Sequence, residues 1–411
     1  MIMPPKRLWI ISEIYYPVKT STGYYVTEIA EYLAAKGIEV HVICTTSTYN
    51  KGELGTLLKE EYYNKVNIHR VSVFDIDKNN FIKRGIRLLV SSASLFFKVI
   101  SLVKKGDELL VVTNPAFLLL MMPYIAWRKK VDYTILVHDI FPENLAAIHK
   151  ISSSSFIYKF LKIIFDKTYA KAHLCISLGR DMSEILASKI HTYSKIRLIP
   201  IWAENETVYP QDKGETFLCN KLALGNKFVF QFAGNLGHAQ GIDNLLNAIG
   251  LISNENIHFL FIGGGAKYNE VASFISKNKM SNISLVGFQD RSLQNDFLNS
   301  CDVGIVTLSD GMYGLGVPSK SYNIMASGKP ILYVGDAKSE IALCIMEFNI
   351  GWVVPSNDPL ALKDIVNKIY DNRGELFKMQ ANARILAESK FAKTSVLECY
   401  YNSVSYTHLT L

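Results

Sequence analysis

The chain has 411 residues, of which 49% are hydrophobic and 20% charged, and a formal net charge of +7. That is ordinary for a globular α/β protein of two domains, each with a core of normal size, and the six scattered cysteines contain no C-x-x-C pair, which argues against a zinc site or a disulfide framework and fits a reducing compartment. Positive charge gathers in the first half, with 27 Lys and Arg against 18 Asp and Glu through position 205 and 17 against 19 after it, so nucleic acid, an anionic substrate or an anionic membrane surface are open as partners.

Met1 to Arg7 runs straight into a strand-like segment, so no signal peptide is expected. The longest apolar run, Ala116–Trp127, contains Pro123 and falls short of the roughly 20 residues of a spanning helix, so no transmembrane segment is expected.

Short apolar runs alternate with helix-period segments along the chain. Strands are predicted at Leu8–Ile14, Val40–Thr45, Leu109–Thr113, Tyr133–Val137, Leu174–Ile176 and Ile196–Ile199, with helices such as Tyr24–Lys36, Arg84–Lys105 and Ser155–Lys171 between them. The stretch Pro200–Lys227 breaks the rhythm and reads as a linker. Beyond it, strands are predicted at Phe228–Ala233, Ile257–Ile262, Ile283–Val286, Val303–Val306, Ile331–Val334 and Trp352–Val354. Apolar strands separated by amphipathic helices mean βαβ units and parallel sheets. Residues Val404–Leu411 show no period and fit no element.

Several segments carry candidate chemistry. After the first strand, EIYYPVKTSTGYY places Thr20, Ser21, Thr22 and Gly23 at a helix start, where free N–H groups suit a phosphate; a plain strand-to-helix turn is the other reading. The segment ILVHDIFPENL puts His138 and Asp139 at a strand's carboxyl end, where open parallel sheets bind ligands. There the pair orients a sugar hydroxyl or assists proton transfer, unless it merely caps the following helix.

In the second half, FQFAGNLGHAQGIDNLL carries Gly234, Asn235, Gly237 and Gly241, and FIGGGAKYNEV carries Gly263, Gly264 and Gly265. Neither has the G-x-G-x-x-G spacing of a dinucleotide fold, but both follow strands and make this half a nucleotide-binding candidate. In GMYGLGVPSKSYNIMASGKP a glycine loop, Gly311–Gly316, leads through Pro318 into a helix with Ser319 as its expected N-cap. The N–H groups of Gly314, Leu315 and Gly316 could cradle a diphosphate. Lys320 reads either as a solvated first-turn lysine or, because a cation is ill-suited to a helix N-terminus, as the partner of a bound anion, and the mismatch favours the anion.

Asp75 and Asp77 form a D-x-D pair in a polar stretch and read as a loop rather than a metal site. The helix Arg84–Lys105, the segment Ser155–Lys171, and Trp127 followed by Arg128, Lys129 and Lys130 are basic, amphipathic and aromatic. They suit an anionic bilayer surface or, more plainly, helices packed on a sheet with solvated lysines.

On YYPVKTSTGYY, HDIFPENL, IPIWAEN, FAGNLGHAQGIDNLL, FIGGG and VPSKSYNIMASGKP, the chain resembles the family 4 glycosyltransferases of the GT-B fold. The resemblance is strongest to the branch that builds O-antigen, capsule and colanic-acid-type polysaccharide, including N-acetylfucosamine-type transferases. It implies two Rossmann-like βαβ domains with parallel sheets facing across a cleft: residues 1–203 for the acceptor and 204–385 for the nucleotide-sugar. A helix at 386–403 would return to the first domain, ahead of a tail at 404–411.

The resemblance further implies retaining, metal-independent transfer, without a cofactor, from a nucleotide diphosphate sugar, probably UDP-linked, to a lipid-linked saccharide acceptor. The enzyme would be cytoplasmic and peripheral on the inner face of the plasma membrane, with no nucleic-acid partner. His138 and Asp139 become catalytic candidates. Gly23, Gly234, Asn235, Gly263, Gly314, Leu315, Gly316, Lys320 and Asn323 fall to the donor, and Thr22 and Tyr24 to the acceptor side. Many relatives clamp the diphosphate with an Arg and a Lys where this chain has Asn235 and Ala239 or Gln240. They also carry two glutamates eight positions apart, at positions that match Leu315 and Asn323. An inactive binding subunit and a Rossmann-type oxidoreductase are the alternatives.

Overall fold

The computed structural model describes residues 7–18, 20–46, 57–73 and 81–409. Asp75 and Asp77 lie outside the described residues. The chain divides into two compact units. The first takes in the chain up to Ala146, Ile151–Ile199 and the stretch from Leu397; the second takes in Ala147–Lys150 and Pro200–Val396.

The first unit is built on β1 (Leu8–Ile11), β2 (Val40–Thr45), β3 (Glu60–Tyr63), β4 (Val66–Val71), β5 (Glu108–Val112), β6 (Asp132–Leu136), β7 (Leu174–Ser177) and β8 (Ile196–Leu198), in the order β3-β4-β2-β1-β5-β6-β7-β8. Every neighbouring pair is parallel except β3 with β4. The helices are α1 (Ser21–Ala35), α2 (Phe81–Leu102), α3 (Ala116–Lys129), α4 (Glu143–Ala147), α5 (Phe156–Lys171) and α6 (Arg180–Ile190).

Leu8 to Ile11 are all buried, as covering both faces of a parallel sheet requires. The first strand ends at Ile11 rather than Ile14, because the Ser12 hydroxyl both donates to the Ile14 carbonyl and accepts from the Ile14 N–H, which turns the chain out of the sheet. The β3–β4 hairpin was not expected. Along β3 exposed and partly buried residues alternate, along β4 buried and partly buried ones, and the turn uses Asn64 and Lys65, both at positive φ, in place of the usual Asn-Gly.

The second unit holds β9 (Phe228–Ala233), β10 (Ile257–Ile262), β11 (Ile283–Val286), β12 (Val303–Thr307), β13 (Ile331–Val334) and β14 (Gly351–Val354), all parallel, in the order β11-β10-β9-β12-β13-β14. Its helices are α7 (Phe217–Lys221), α8 (Ile242–Ile249), α9 (Tyr268–Asn278), α10 (Gln294–Asn299), α11 (Lys320–Ala326), α12 (Glu340–Phe348), α13 (Pro359–Asp371) and α14 (Leu376–Ser389); α15 (Lys393–Leu409) follows. The helix α7 lies within the expected linker, where Thr216 caps it by accepting from the Cys219 N–H. The core packs Phe230, Phe232, Phe259 and Phe261 of β9 and β10 against Ile242, Leu245 and Ile249 of α8.

Renumbered from β9, this strand order is the doubly-wound order 3-2-1-4-5-6, whose reversal between β9 and β12 opens a crevice at their carboxyl ends. The helix α15 continues through residues that show no sequence period. From Leu397 onward it belongs to the first unit, where Glu398 accepts from the Tyr32 hydroxyl at 2.5 Å and pairs with Lys36 at 2.8 Å.

Candidate functional site

In the first unit, three carboxyl-end loops meet. The hydroxyl of Thr113, just past β5, accepts from the backbone N–H groups of His138 (3.1 Å) and Asp139 (3.2 Å), just past β6. Thr22, in the first turn of α1, lies with its hydroxyl 3.4 Å from His138 Nδ1. Burial alone pushes the imidazole down to about 4, so His138 is neutral at any ordinary working pH and presents one donor and one acceptor nitrogen. Burial pushes the Asp139 carboxyl up to about 6, and a hydrogen bond from Asn144 pulls it partly back.

His138 and Asp139 share no hydrogen bond among the described residues. The imidazole's side-chain neighbour is Thr22, and Asp139 is held by a hydrogen bond from Asn144 instead. The segment after Asp139 is anchored by buried charge. Lys189 of α6, its side chain 1% exposed, pairs with Glu143 of α4 at 2.6 Å and Asp166 of α5 at 2.5 Å.

Gly23 does not offer a free N–H. Thr20 caps α1 by accepting that proton at 3.1 Å, and a Cβ on Gly23 would stand 2.9 Å from the Val18 carbonyl oxygen. The glycine is there so that the loop can fold back on its helix. Tyr24, half-buried, sits edge-on to the buried Tyr25.

In the second unit, the crevice between β9 and β12 holds Lys320. The first residue of α11, it lies with Nζ 3.6 Å from the Phe232 ring centroid and 3.4 Å from the Gln240 side-chain oxygen. No ion pair reaches Lys320 among the described residues. Burial pushes its ammonium down to about 7, since a charge out of water without a counter-ion is disfavoured. Gly234 follows β9, and a Cβ there would come within 3.2 Å of Nζ, so the glycine makes room for the lysine. Ser309, just past β12, stitches the crevice: its N–H donates to Ala239, its hydroxyl donates to His238, and it accepts from the Gly241 N–H.

Several of the expected donor residues engage the protein itself. Leu315 is buried and its N–H donates to the Met312 carbonyl at 3.2 Å, so it anchors the glycine loop rather than offering a proton to a ligand. Gly314 takes φ +66, which explains the glycine, and Gly316 follows it half-buried. The would-be Cβ of Gly263 runs into the Gly234 carbonyl; this glycine lets two neighbouring strand ends cross, and faces backbone rather than ligand. Asn235 packs its side chain against Gly237 and Gly265.

Asn323 is buried and accepts from the Glu204 N–H at 3.0 Å, fixing the chain where it enters the second unit, so its oxygen is committed to the protein. Ser319 has helical φ and ψ and makes no side-chain cap. Thr113 and Phe232 were not anticipated. In the sequence each is one more small or apolar residue at the end of a strand, and what it touches is set by tertiary structure.

Two α/β units with loops at the strands' carboxyl ends, one of them holding a partly buried cation with no ion pair among the described residues at a strand-order reversal, fit a GT-B glycosyltransferase. Comparison with known proteins agrees. Residues 22–202 match the model "Glycosyltransferase Family 4" and residues 216–386 the model "Glycosyl transferases group 1". The chain is 33% identical to the probable glycosyltransferase WbjE of Pseudomonas aeruginosa, over 88% of this chain and 89% of that protein. It is 23% identical to the putative colanic acid biosynthesis glycosyl transferase WcaI of Escherichia coli K12, over 95% and 97% of the two. The solved structure of Anabaena Alr3699/HepE in complex with UDP-glucose superposes with a TM-score of 0.74 at 14% identity, over 97% of this chain and 99% of that one. The chain belongs to glycosyltransferase family 4, and it is a glycosyltransferase of polysaccharide biosynthesis.

Proposed function

We propose that this enzyme transfers a sugar, with retention and without a metal, from a UDP-linked donor to a lipid-linked saccharide, working in the cytoplasm on the inner face of the plasma membrane. The observation that carries the donor half is Lys320, a partly buried cation with no ion-pair partner among the described residues, in the crevice between β9 and β12. A diphosphate is the missing counter-charge. In the reaction the bond from the anomeric carbon to the diphosphate oxygen breaks and the acceptor hydroxyl attacks from the same face. The departing oxygen takes the hydroxyl proton, and Lys320 stabilises the charge that develops there. Neutral His138 holds a sugar hydroxyl. A structural relative binds UDP-glucose, which supports the choice of nucleotide.

The test is thermal. UDP at a hundred times its dissociation constant should stabilise the enzyme by about 2.7 kcal/mol through mass action, and Lys320→Met should remove most of that shift. A melting temperature indifferent to every nucleotide diphosphate would sink the donor reading.

The membrane half rests on the outer surface of α2, α3 and α5. Gly85–Leu102 is 18 residues long and apolar enough to cross a bilayer by length and composition, though Arg87, Ser91, Ser92, Ser94 and Lys98 interrupt its apolar residues. It packs one side on the sheet, burying Leu95 and Val99, and exposes Ile86, Leu89 and Phe97 on the other. Tyr124 and Trp127 of α3 and Phe156, Ile157 and Phe160 of α5 extend this exposed apolar surface, with Arg128, Lys129 and Lys130 beside it. Large apolar residues edged by cations suit insertion among anionic headgroups. Co-sedimentation with anionic phospholipid vesicles should weaken about tenfold or more in a Trp127→Ser, Phe156→Ser double variant, since each removes about 1.5–3 kcal/mol of burial. Unchanged co-sedimentation would remove this surface from membrane contact.

A further inference from the structure

The second unit has a cavity that the donor reading does not use. It measures about 490 Å³ and sits at the carboxyl ends of β12, β13 and β14, the opposite flank of the loop Leu308–Gly316 from β9 and Lys320. That volume falls in the range of roughly 300–1,000 Å³ typical of small-molecule sites, and strand carboxyl ends are where such sheets bind ligands.

Its lining decides the chemistry. Asp310 follows β12, Asp336 follows β13 and Asn357 follows β14, all three exposed at the cavity. Among the described residues, no lysine or arginine lines it. Met312, Tyr313 and Met346 give an apolar wall. Two carboxylates without a cation repel phosphate and nucleotides. Ionised carboxylates accept only; Asp336 Oδ1 already accepts from the Lys338 N–H at 2.7 Å, and a polyol supplies donors to the carboxylate oxygens that remain. An aromatic ring beside them takes the apolar face of a pyranose. The Lys320 crevice has the opposite character, with a cation and no carboxylate paired to it.

We infer that this cavity is a saccharide subsite of the second unit, taking one or two uncharged pyranose rings and excluding anions. The inference goes beyond the donor reading and does not require it.

Saturation-transfer NMR on the full-length enzyme tests it, with millimolar glucose, galactose, N-acetylglucosamine and maltose as probes, alone and with saturating UDP. At least one neutral sugar should bind, UDP should not displace it, and inorganic phosphate should give no competing signal. Asp310→Ala with Asp336→Ala should weaken that sugar about tenfold or more. Both positions are exposed, and the hydrogen bond lost is the one Asp336 Oδ1 accepts from the Lys338 N–H of its own turn, so the double variant should melt within a few degrees of the wild type. Lys320→Met should leave the sugar bound. Three results would overturn the inference: no sugar binding, equal binding to the double variant, or displacement by UDP or phosphate. A loss of UDP binding alone, with the sugar retained, counts against the donor reading and not against this one.

Discussion

Lys320→Met is expected to lower kcat/KM by about 10²–10³-fold, the loss typical when one group that stabilises leaving-group charge is removed, and at the same time to raise the melting temperature. The two effects have one cause. Methionine keeps the contact with the Phe232 ring, 3.6 Å from the lysine nitrogen, but carries no charge. Burial lowers the lysine from 10.5 to about 7. In the window between those values the unfolded chain holds a proton that the folded chain gives up, so the wild type loses stability as pH falls from 10.5 towards 7 and stays penalised below it.

The variant has no proton to exchange and escapes that penalty. A gain of even 1 kcal/mol would show as about 2–4 °C in melting temperature. A lysine kept only for packing would give neither effect in this combination. Wild-type kcat/KM should also fall as pH rises through about 7, because the ligand-free enzyme then loses the cation that meets the diphosphate. A variant both less stable and fully active would place Lys320 outside the chemistry.

The difference between what could and could not be read in advance lies in which property each residue depends on. Strands such as Phe228–Ala233 and Ile257–Ile262 were legible to the residue because both faces of a parallel sheet are buried and nearly every position is apolar, Gln231 and His258 aside. The strand β3 is the sheet edge, half exposed, and the polar residues that alternate along β3 and β4 resemble a loop. Carboxyl-end glycines were legible as special positions, but not what they face. Gly234 makes room for Lys320 whereas Gly263 makes room for a neighbouring backbone, and both simply follow strands in the sequence.

Availability of a backbone N–H is likewise a tertiary fact. Leu315 and Gly23 sit in loops that suit anion binding, and each has spent its proton locally. Asn323 occupies a position where relatives carry a glutamate, yet here it accepts from Glu204. Lys320 stands out in the sequence itself, since a cation at a helix start conflicts with the helix dipole.

The acid side of the pH profile should belong to Asp139 and not to His138. The imidazole, pushed down to about 4 by burial, is neutral throughout the range in which the enzyme works, so its titration cannot limit activity near neutrality. The Asp139 carboxyl, raised to about 6 by burial, is ionised above that value and neutral below it. If the carboxylate is the form that holds a substrate hydroxyl, kcat/KM should fall as pH drops through about 6, the free enzyme's value being the one that kcat/KM reports.

Together with the loss of the Lys320 cation above about 7, this gives a narrow bell whose two limbs can be removed separately. Asp139→Asn should flatten the acid limb and lower the plateau by about a hundredfold, within the range for a positioned acid–base group. His138→Ala should lower the plateau and leave the limb where it was. Asn144→Ala, which removes the hydrogen bond that favours the ionised carboxyl, should move the limb upward. An acid limb that survives intact in Asp139→Asn would mean that some other group titrates there and that Asp139 serves only to shape the loop.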